Sequence, residues 1–379
     1  MFEREQEESK IIEEFVPAKK PKSRWRFFTF SFWIFLLVVL VVGVSSALVY
    51  KTGFTFSQMQ TEKLEKLPLI EDLTTMNTPE PETDADRLNV LVLGLRGEGD
   101  PNGGLLTDSI MVVSLKKSTG QVALISIPRD LYITMPGQKY KEKINFAYAL
   151  GYEQKGEAGG LYLSKIAVSR VTGLFIDHVV SVNHEAFKDV VDALGGITII
   201  LDKPFIEDQQ WTNGGDLGSS SAFFIKTETA STSQGAVEKQ KWVFKIPAGT
   251  STLDGLTTLY YVRARYSSSD FDRTRRQQSI LLAMKEKALS LGVLSNPVTI
   301  FQVLESLGKN VRTDLSFSEI KDLIGIASKV DTKTAIHKVF DTTPEGLLYS
   351  GKSDIGAYIL SPVGDDFSKI QSTCKNIFQ

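Results

Sequence analysis

Phe27–Tyr50 is an apolar run without one charged side chain, and it divides the chain before any fold is considered. A helix of about 20 apolar residues crosses a bilayer core. Lys19, Lys20, Lys22, Arg24 and Arg26 stand just before the run, and Lys51 is the nearby base after it. Basic residues stay on the cytoplasmic side, so the N-terminus is expected inside and the bulk of the chain outside. The rival reading is a cleaved signal peptide with Ser45-Ser46-Ala47 as its small-residue site. Signal-peptide apolar cores run about 7–15 residues, shorter than this one, so an uncleaved anchor is expected. This divides the N-terminal part into a cytoplasmic basic tail at 1–26, a transmembrane helix at 27–50 and a linker at 51–86. The linker combines Thr, Pro and acidic residues without apolar periodicity, which predicts an extended spacer.

The remaining chain has ordinary globular chemistry. Its formal net charge is -2, which gives no reason to expect a nucleic-acid partner. Cys374 is the one cysteine, so an intramolecular disulfide and a Cys-rich zinc site are excluded. His178, His184 and His337 are too scattered to suggest a histidine metal site.

Apolar runs at 88–94, 110–115 and 122–127 predict strands buried on both faces, the last two joined by a turn at Ser118-Thr119-Gly120. Residues 158–172 and 185–194 have helical character, the second stopped by Gly195-Gly196. Short strands are expected at 179–182, 197–201 and 242–246, and helices at 255–262 and 271–290. Ser316 and Glu319 form a capping-box pattern that opens a helix to about Ser328. The Gly/Ser/Thr-rich stretch within 206–240, densest at 212–235, reads as a mobile surface insertion. The mixture predicts an α/β domain at 87–295, with 296–379 completing it or forming a small extension.

Three stretches carry chemistry. The first runs from Arg263 to Arg276, where Arg263, Arg265, Arg273, Arg275 and Arg276 accompany Asp270 and Asp272. A guanidinium offers a planar fork of donors that matches phosphate oxygens. Arg273, Arg276 and Gln277 are spaced to share one helical face, in first turns whose free N–H groups attract anions. Asp270 or Asp272 is the candidate N-cap. A solvated charged face would explain the run equally well. The second stretch is Pro128-Arg129-Asp130, a charged pair directly after a buried strand, where α/β sheets place their ligands. A plain ion pair is the competing explanation. The third is the glycine-rich loop from Gly94 to Ser109, which ends in neither a Walker lysine nor a helix. Its Asp108 is a candidate carboxylate for a hard cation such as Mg²⁺, or simply a turn-forming residue. Lys143 could add a cation at the mouth of a site, and His184 reads as a capping or surface residue.

In this order the motifs are distinctive. They run Leu-Thr-Asp-Ser at 106–109, Ser-Ile-Pro-Arg-Asp-Leu-Tyr at 126–132, Lys-Ile-Asn-Phe-Ala-Tyr at 143–148 and Val-Asn-His-Glu-Ala-Phe at 182–187. Tyr-Val-Arg-Ala-Arg at 261–265 and Ser-Asp-Phe-Asp-Arg-Thr-Arg-Arg-Gln-Gln at 269–278 complete the set. The chain resembles the LytR-CpsA-Psr family over roughly 88–291. The resemblance implies an α/β/α sandwich with a mixed central β-sheet and a polyprenyl-binding tunnel. It implies an enzyme on the outer face of a bacterial cytoplasmic membrane, a phosphotransferase assisted by Mg²⁺. Such an enzyme moves a glycopolymer from an undecaprenyl-pyrophosphate carrier to peptidoglycan and forms a phosphodiester. On this resemblance Arg129, Arg263, Arg265, Arg273, Arg276 and Gln277 bind the pyrophosphate, with Lys143 nearby. Asp108 is carried over as the second of two metal aspartates, and Asp108, Arg129, Asp130 and Asp270 are the catalytic candidates. The prenyl tunnel is expected to be lined from residues 144–200. The chain departs from the family pattern at Gly94-Leu95-Arg96 and at Leu106, where an aspartate and an arginine are usual. That departure also leaves open a non-catalytic binder or sensor of the lipid-linked glycan. A hydrolase that cleaves the pyrophosphate with water is the other alternative.

Overall fold

The apolar run at 88–94 becomes the middle of a sheet. In the computed structural model β1 (Arg87–Leu95) pairs antiparallel with β2 (Thr107–Lys116), which pairs antiparallel with β3 (Gln121–Ser126). The structure describes residues 59–63, 81–98, 100, 104–211, 222–232, 235–289, 308, 310–316, 318–320, 322–323, 330 and 332–379. These residues belong to one compact unit, Thr52–Gln379. The Phe27–Tyr50 run lies outside them, and among the described residues no helix is long and apolar enough to cross a membrane.

After β3 the short hairpin β4 (Tyr132–Thr134) and β5 (Lys141–Lys143) leads into helix α1 (Ala147–Thr172). This helix starts earlier than the sequence pattern suggested, and it is interrupted by non-helical Lys155 and Gly156. It returns the chain to β6 (His178–Val182), parallel to β1, and then to α2 (His184–Ala193), capped by the Asn183 side chain. Strand β7 (Ile197–Leu201) precedes β8 (Phe205–Glu207), β9 (Phe223–Thr232), β10 (Gly235–Ile246) and β11 (Gly249–Leu253). β7 pairs with β11 outside the main sheet, while β8, β10 and β9 form a separate antiparallel sheet in that order.

That second sheet corrects the expected mobile insertion. Residues 212–221 lie outside the described ones, but Phe223–Thr232 and Gly235–Ile246 are paired strands. Thr is β-branched and suits a pleated surface, so Thr-rich sequence extends a strand as readily as a loop. On the inner face Phe223, Phe244, Trp211 and Tyr260 meet edge to face or tilted, with centroids 4.7–5.9 Å apart.

Helices α3 (Gly255–Arg263) and α4 (Asp270–Leu289) follow. Beyond them the C-terminal segment supplies both edges of the main sheet, β12 (Val311–Thr313) beside β6 and β13 (Ile336–Val339) beside β3. The hairpin β14 (Leu348–Lys352) and β15 (Tyr358–Pro362) and helix α5 (Ser368–Lys375) close the chain. The order β12-β6-β1-β2-β3-β13 is a mixed sheet. One face packs Leu91, Leu93, Val112 and Ile125 against Leu161, Leu163 and Val168 of α1. The other packs Met111, Leu115 and Leu124 against Leu281 and Leu282 of α4. Gln278 fastens α4 there: fully buried, it donates to Leu124 O at 3.1 Å and to Ser126 Oγ at 2.9 Å. The capping box at Ser316 is formed in both directions, Glu319 Oε2 accepting from Ser316 N at 2.7 Å and Ser316 Oγ from Glu319 N at 3.3 Å.

Part of the expected linker is tied to the domain. Met59 is buried, and Gln60 bridges Thr313 at the sheet edge. Next to it Asp314 accepts from Val179 N at 2.8 Å and Lys165 Nζ at 3.0 Å, with His178 Nδ1 at 3.7 Å. Burial raises the Asp314 pKa, but His178, Lys165 and the Val179 N–H outweigh it and hold the carboxyl below its ordinary 3.8. A depressed folded pKa contributes stability above the unfolded value and loses it as pH falls through the folded one. Asp314→Asn is therefore expected to cost about 2 kcal/mol at neutral pH. The difference from wild type should close below pH 3.8, as read by urea melts across acid pH.

Candidate active site

At the carboxyl end of β1 the ladder slips: Gly94 pairs with Ser109, yet Leu95 pairs with Thr107. Asp108 is the extra residue of this bulge, and bulges re-aim side chains. Gly94 makes the close pairing possible, because a Cβ there would stand 3.0 Å from Ser109 Cβ. Asp108 thereby faces a cavity of about 340 Å³ shared by β1, β2, α2, α3 and α4.

Five arginines line that cavity: Arg96, Arg129, Arg263, Arg265 and Arg273. Each comes from a different local device. Arg129 follows β3 after Pro128, and its carbonyl accepts from Asn145 N at 3.3 Å. Arg263 ends α3, and Gln210 clamps the strip after it, donating to Arg263 O at 3.2 Å and accepting from Arg265 N at 2.9 Å. Buried Glu207 holds the same loop through Ser267, Oγ to Oε1 at 2.7 Å. Arg273 stands one turn into α4. The cap of that helix is Ser269, not Asp270 or Asp272 as expected: Asp272 N donates to Ser269 Oγ at 3.0 Å, and Asp272 Oδ2 accepts back from Ser269 N at 3.2 Å. Ser-x-x-Asp is the acidic form of the capping box, and it frees Asp270 to face inward.

Asp108 organises the cluster. It is ion-paired with Arg129 and, at 3.2 Å, with Arg96, and its carbonyl accepts from Arg273 Nη2 at 3.1 Å. Burial pushes its pKa up, but Arg129, Arg273 and Arg96 overcome this and hold it below the ordinary carboxylate value. Arg273 is 5% exposed and also donates to Asp270 Oδ2 at 3.0 Å. Burial first, opposed by Asp270 and aided by Arg129, brings its pKa down to about 10, still cationic at neutral pH. Arg273 Nε is buried without a hydrogen-bond partner, and Arg129 Nε stands 3.6 Å from Asp130 Oδ2. Buried donors are rarely left so, and Arg273 Nε marks a place for an acceptor.

The other expected site residues divide. Gln277 lines the cavity and accepts from Ser109 Oγ at 3.0 Å. Arg265 and Asp270 pair at 3.5 Å at its rim. Lys143 binds Asp130 at 2.7 Å, and neither of them is among the cavity-lining residues. Arg276 departs from the shared face: it donates to Tyr261 O at 3.0 Å and to Ala264 O, and it stacks on Phe205 at 4.8 Å. Arg276→Ala is expected to lower stability by about 1–2 kcal/mol through lost packing. Anion binding should stay within about twofold of wild type, as checked by melts beside a titration.

Two cavity residues lie outside the expected binding set, and His184 is neither the cap, which is Asn183, nor a surface residue. Arg96, one residue past β1, faces Asp108. His184, at the start of α2, lines the cavity. Burial, with Arg263 and Arg96, lowers its pKa to about 4, so it is neutral at physiological pH. Behind the arginines the wall is apolar: Val92 and Met111 of the sheet, Phe187 and Val190 of α2, Leu259 and Val262 of α3, Leu281 and Met284 of α4. The stretch 144–200 thus contributes only from Val182 to Val190, because α1 packs on the opposite face of the sheet.

Asp108 is the carboxylate that lines the cavity. Among the described residues no three acidic, histidine or cysteine side chains converge. Both oxygens of Asp108 face guanidinium groups. Glu98 faces the phenol of Tyr152.

A family model described as the LytR_cpsA_psr family matches residues 49–375. The chain is 28% identical over 295 residues to TagU of Bacillus cereus strain AH820, covering 77% of this chain and 81% of that one. It is 29% identical over 272 residues to TagT of Bacillus subtilis strain 168, covering 70% and 71%. Both relatives are named polyisoprenyl-teichoic acid–peptidoglycan teichoic acid transferases. A solved structure described as TagT bound to LIIa-WTA aligns with a TM-score of 0.54 at 23% identity, over 78% of this chain and 92% of that one. At that identity the likeness speaks for the mixed-sheet α/β fold alone.

Proposed function

The chain belongs to the LytR_cpsA_psr family, and from that premise we propose that it is a glycopolymer–peptidoglycan transferase. Its donor is a glycan linked through a pyrophosphate to a polyprenyl carrier such as undecaprenol. The observation that carries this reading is a single cavity with two chemistries, five arginines on one wall and a continuous apolar wall behind them. A diphosphate suits the first and a prenyl chain the second.

Phosphoryl transfer depends on positioning and charge stabilisation more than on a protein nucleophile. Arg129, Arg263, Arg265 and Arg273 hold the diphosphate oxygens. An acceptor sugar hydroxyl attacks the glycan-linked phosphorus, and the bond from that phosphorus to the bridging oxygen breaks. The negative charge that develops on the departing polyprenyl phosphate falls among the same guanidiniums. Of Asp108, Asp130 and Asp270, Asp108 lines the cavity. Its two oxygens are taken up by Arg96 and Arg129 and its basicity is lowered by the surrounding guanidiniums, so it does not remove the proton, and the hydroxyl proton leaves to solvent. A membrane anchor at Phe27–Tyr50 would hold the domain outside the cytoplasmic membrane, beside a lipid-borne donor.

The test uses the full chain in detergent with a polyprenyl-pyrophosphate-linked glycan and peptidoglycan oligomers, followed by mass spectrometry. A phosphodiester-joined product, lost in Arg263→Ala, is expected. Free glycan phosphate would mean a hydrolase, and tight binding without product would mean a sensor.

A further inference from the structure

A diphosphate can be neutralised by a cation held between it and protein carboxylates, or by guanidinium groups directly. The arrangement around Asp108 favours the second. Oδ1 is directed at Arg129 and Oδ2 at Arg96 Nε, 3.2 Å away, so a cation there would have to displace both. In the family pattern the other carboxylate comes from the end of β1. That position is Gly94, where even a Cβ would meet Ser109 Cβ at 3.0 Å. Asp130 is held by Lys143 at 2.7 Å and Asp270 Oδ2 by Arg273 at 3.0 Å, while the buried Asp270 Oδ1 makes no hydrogen bond and faces Arg265 at 3.5 Å. On the other side, Arg273 keeps a buried Nε–H without a hydrogen-bond partner, while Arg129 Nε stands 3.6 Å from Asp130.

We propose that Asp108 is a positioning residue, not a metal ligand. It orders Arg96 and Arg129 through its carboxylate and Arg273 through its carbonyl, and the resulting cradle binds the diphosphate without a divalent cation. This deepens the lipid-diphosphate reading above and rests on it. Five guanidiniums line the cavity, and even with Asp108 in the lining and Asp130 and Asp270 paired beside it the cluster stays positive, which supplies the charge that a bound cation would otherwise bring.

Farnesyl pyrophosphate is the probe, titrated calorimetrically into the full chain in detergent, once with EDTA and once with Mg²⁺. The two Kd values are expected to agree within about twofold, and Mg²⁺ alone to give no saturable heat. Asp108→Asn should weaken probe binding about tenfold, and equally in EDTA and in Mg²⁺, because the arginines lose their anchor. Arg96→Ala should behave in the same way to a smaller degree. Binding that needs Mg²⁺, or an Asp108→Asn effect confined to the Mg²⁺ arm, would overturn the inference and leave the ligand reading standing. So would unchanged or tighter binding by Asp108→Asn. No probe binding in either arm would overturn the ligand reading, and this inference with it. The EDTA and Mg²⁺ comparison on the wild-type chain decides the cation question even if a variant fails to fold.

Discussion

Arg273→Ala is expected to abolish binding of a polyprenyl diphosphate and to destabilise the domain at the same time. The side chain is 5% exposed and joins α4 to the bulge of β2 through Asp108 O at 3.1 Å and to Asp270 at 3.0 Å. Removing it leaves the Asp270 carboxylate with Arg265 alone, 3.5 Å away, and a carbonyl without its donor. Breaking a buried ion pair costs about 3–5 kcal/mol, more than a truncation of the exposed Arg275 would. The lost charge and donor fork should weaken diphosphate binding by at least about a hundredfold. Arg273→Lys separates the two effects. An ammonium restores the charge and part of the stability, but it cannot reach two acceptors in the fixed plane of a guanidinium. Urea melts and calorimetric titration on the same preparations give both readings.

Val190→Trp is the converse experiment on the apolar wall. Phe187 and Val190 are three residues apart on α2, share one face, and line the cavity. An indole at 190 would occupy space within a cavity of only about 340 Å³. Turnover of a long-chain lipid donor is expected to fall about a hundredfold. Inorganic pyrophosphate, which needs only the arginine wall, should bind within about twofold of wild type. Overpacking costs about 1–3 kcal/mol, so a melt accompanies the assay.

The contrast between these walls also explains what could be read from the sequence. The buried strands were legible because β1, β2 and β3 are long apolar runs broken by turn residues, and the Arg263–Arg276 cluster because charge so dense is rare. The edge strands were not. β12 and β13 are three and four residues long, and their partners are remote in sequence. Residues 144–200 line the cavity from Val182 to Val190 but not from α1, because apolar periodicity says that a helix is buried, not which face of the sheet buries it. α1 is apolar and covers one face, while the cavity opens on the other, beneath α4. Arg276 and Gln277 follow Arg273 by three and four residues, yet Arg276 turns to the carbonyls of Tyr261 and Ala264. Helical spacing groups residues on a face but does not choose which of them reach a ligand. His184 belongs to the site through the parallel pairing of β6 with β1, a contact of high sequence separation, and Arg96 through the bulge between β1 and β2 that turns Asp108 toward it.

The central claim is that one cavity holds the diphosphate at its arginines and the prenyl chain against its apolar wall. Photocrosslinking tests it most directly. A polyprenyl pyrophosphate carrying a diazirine midway along its chain would be irradiated with the full-length protein in detergent, and the adducts mapped by mass spectrometry. Adducts are expected at Phe187, Val190, Leu259 and Met284, competed away by unlabelled lipid and lost in Arg273→Ala. Adducts scattered over the outer surface, or unaffected by that substitution, would contradict it.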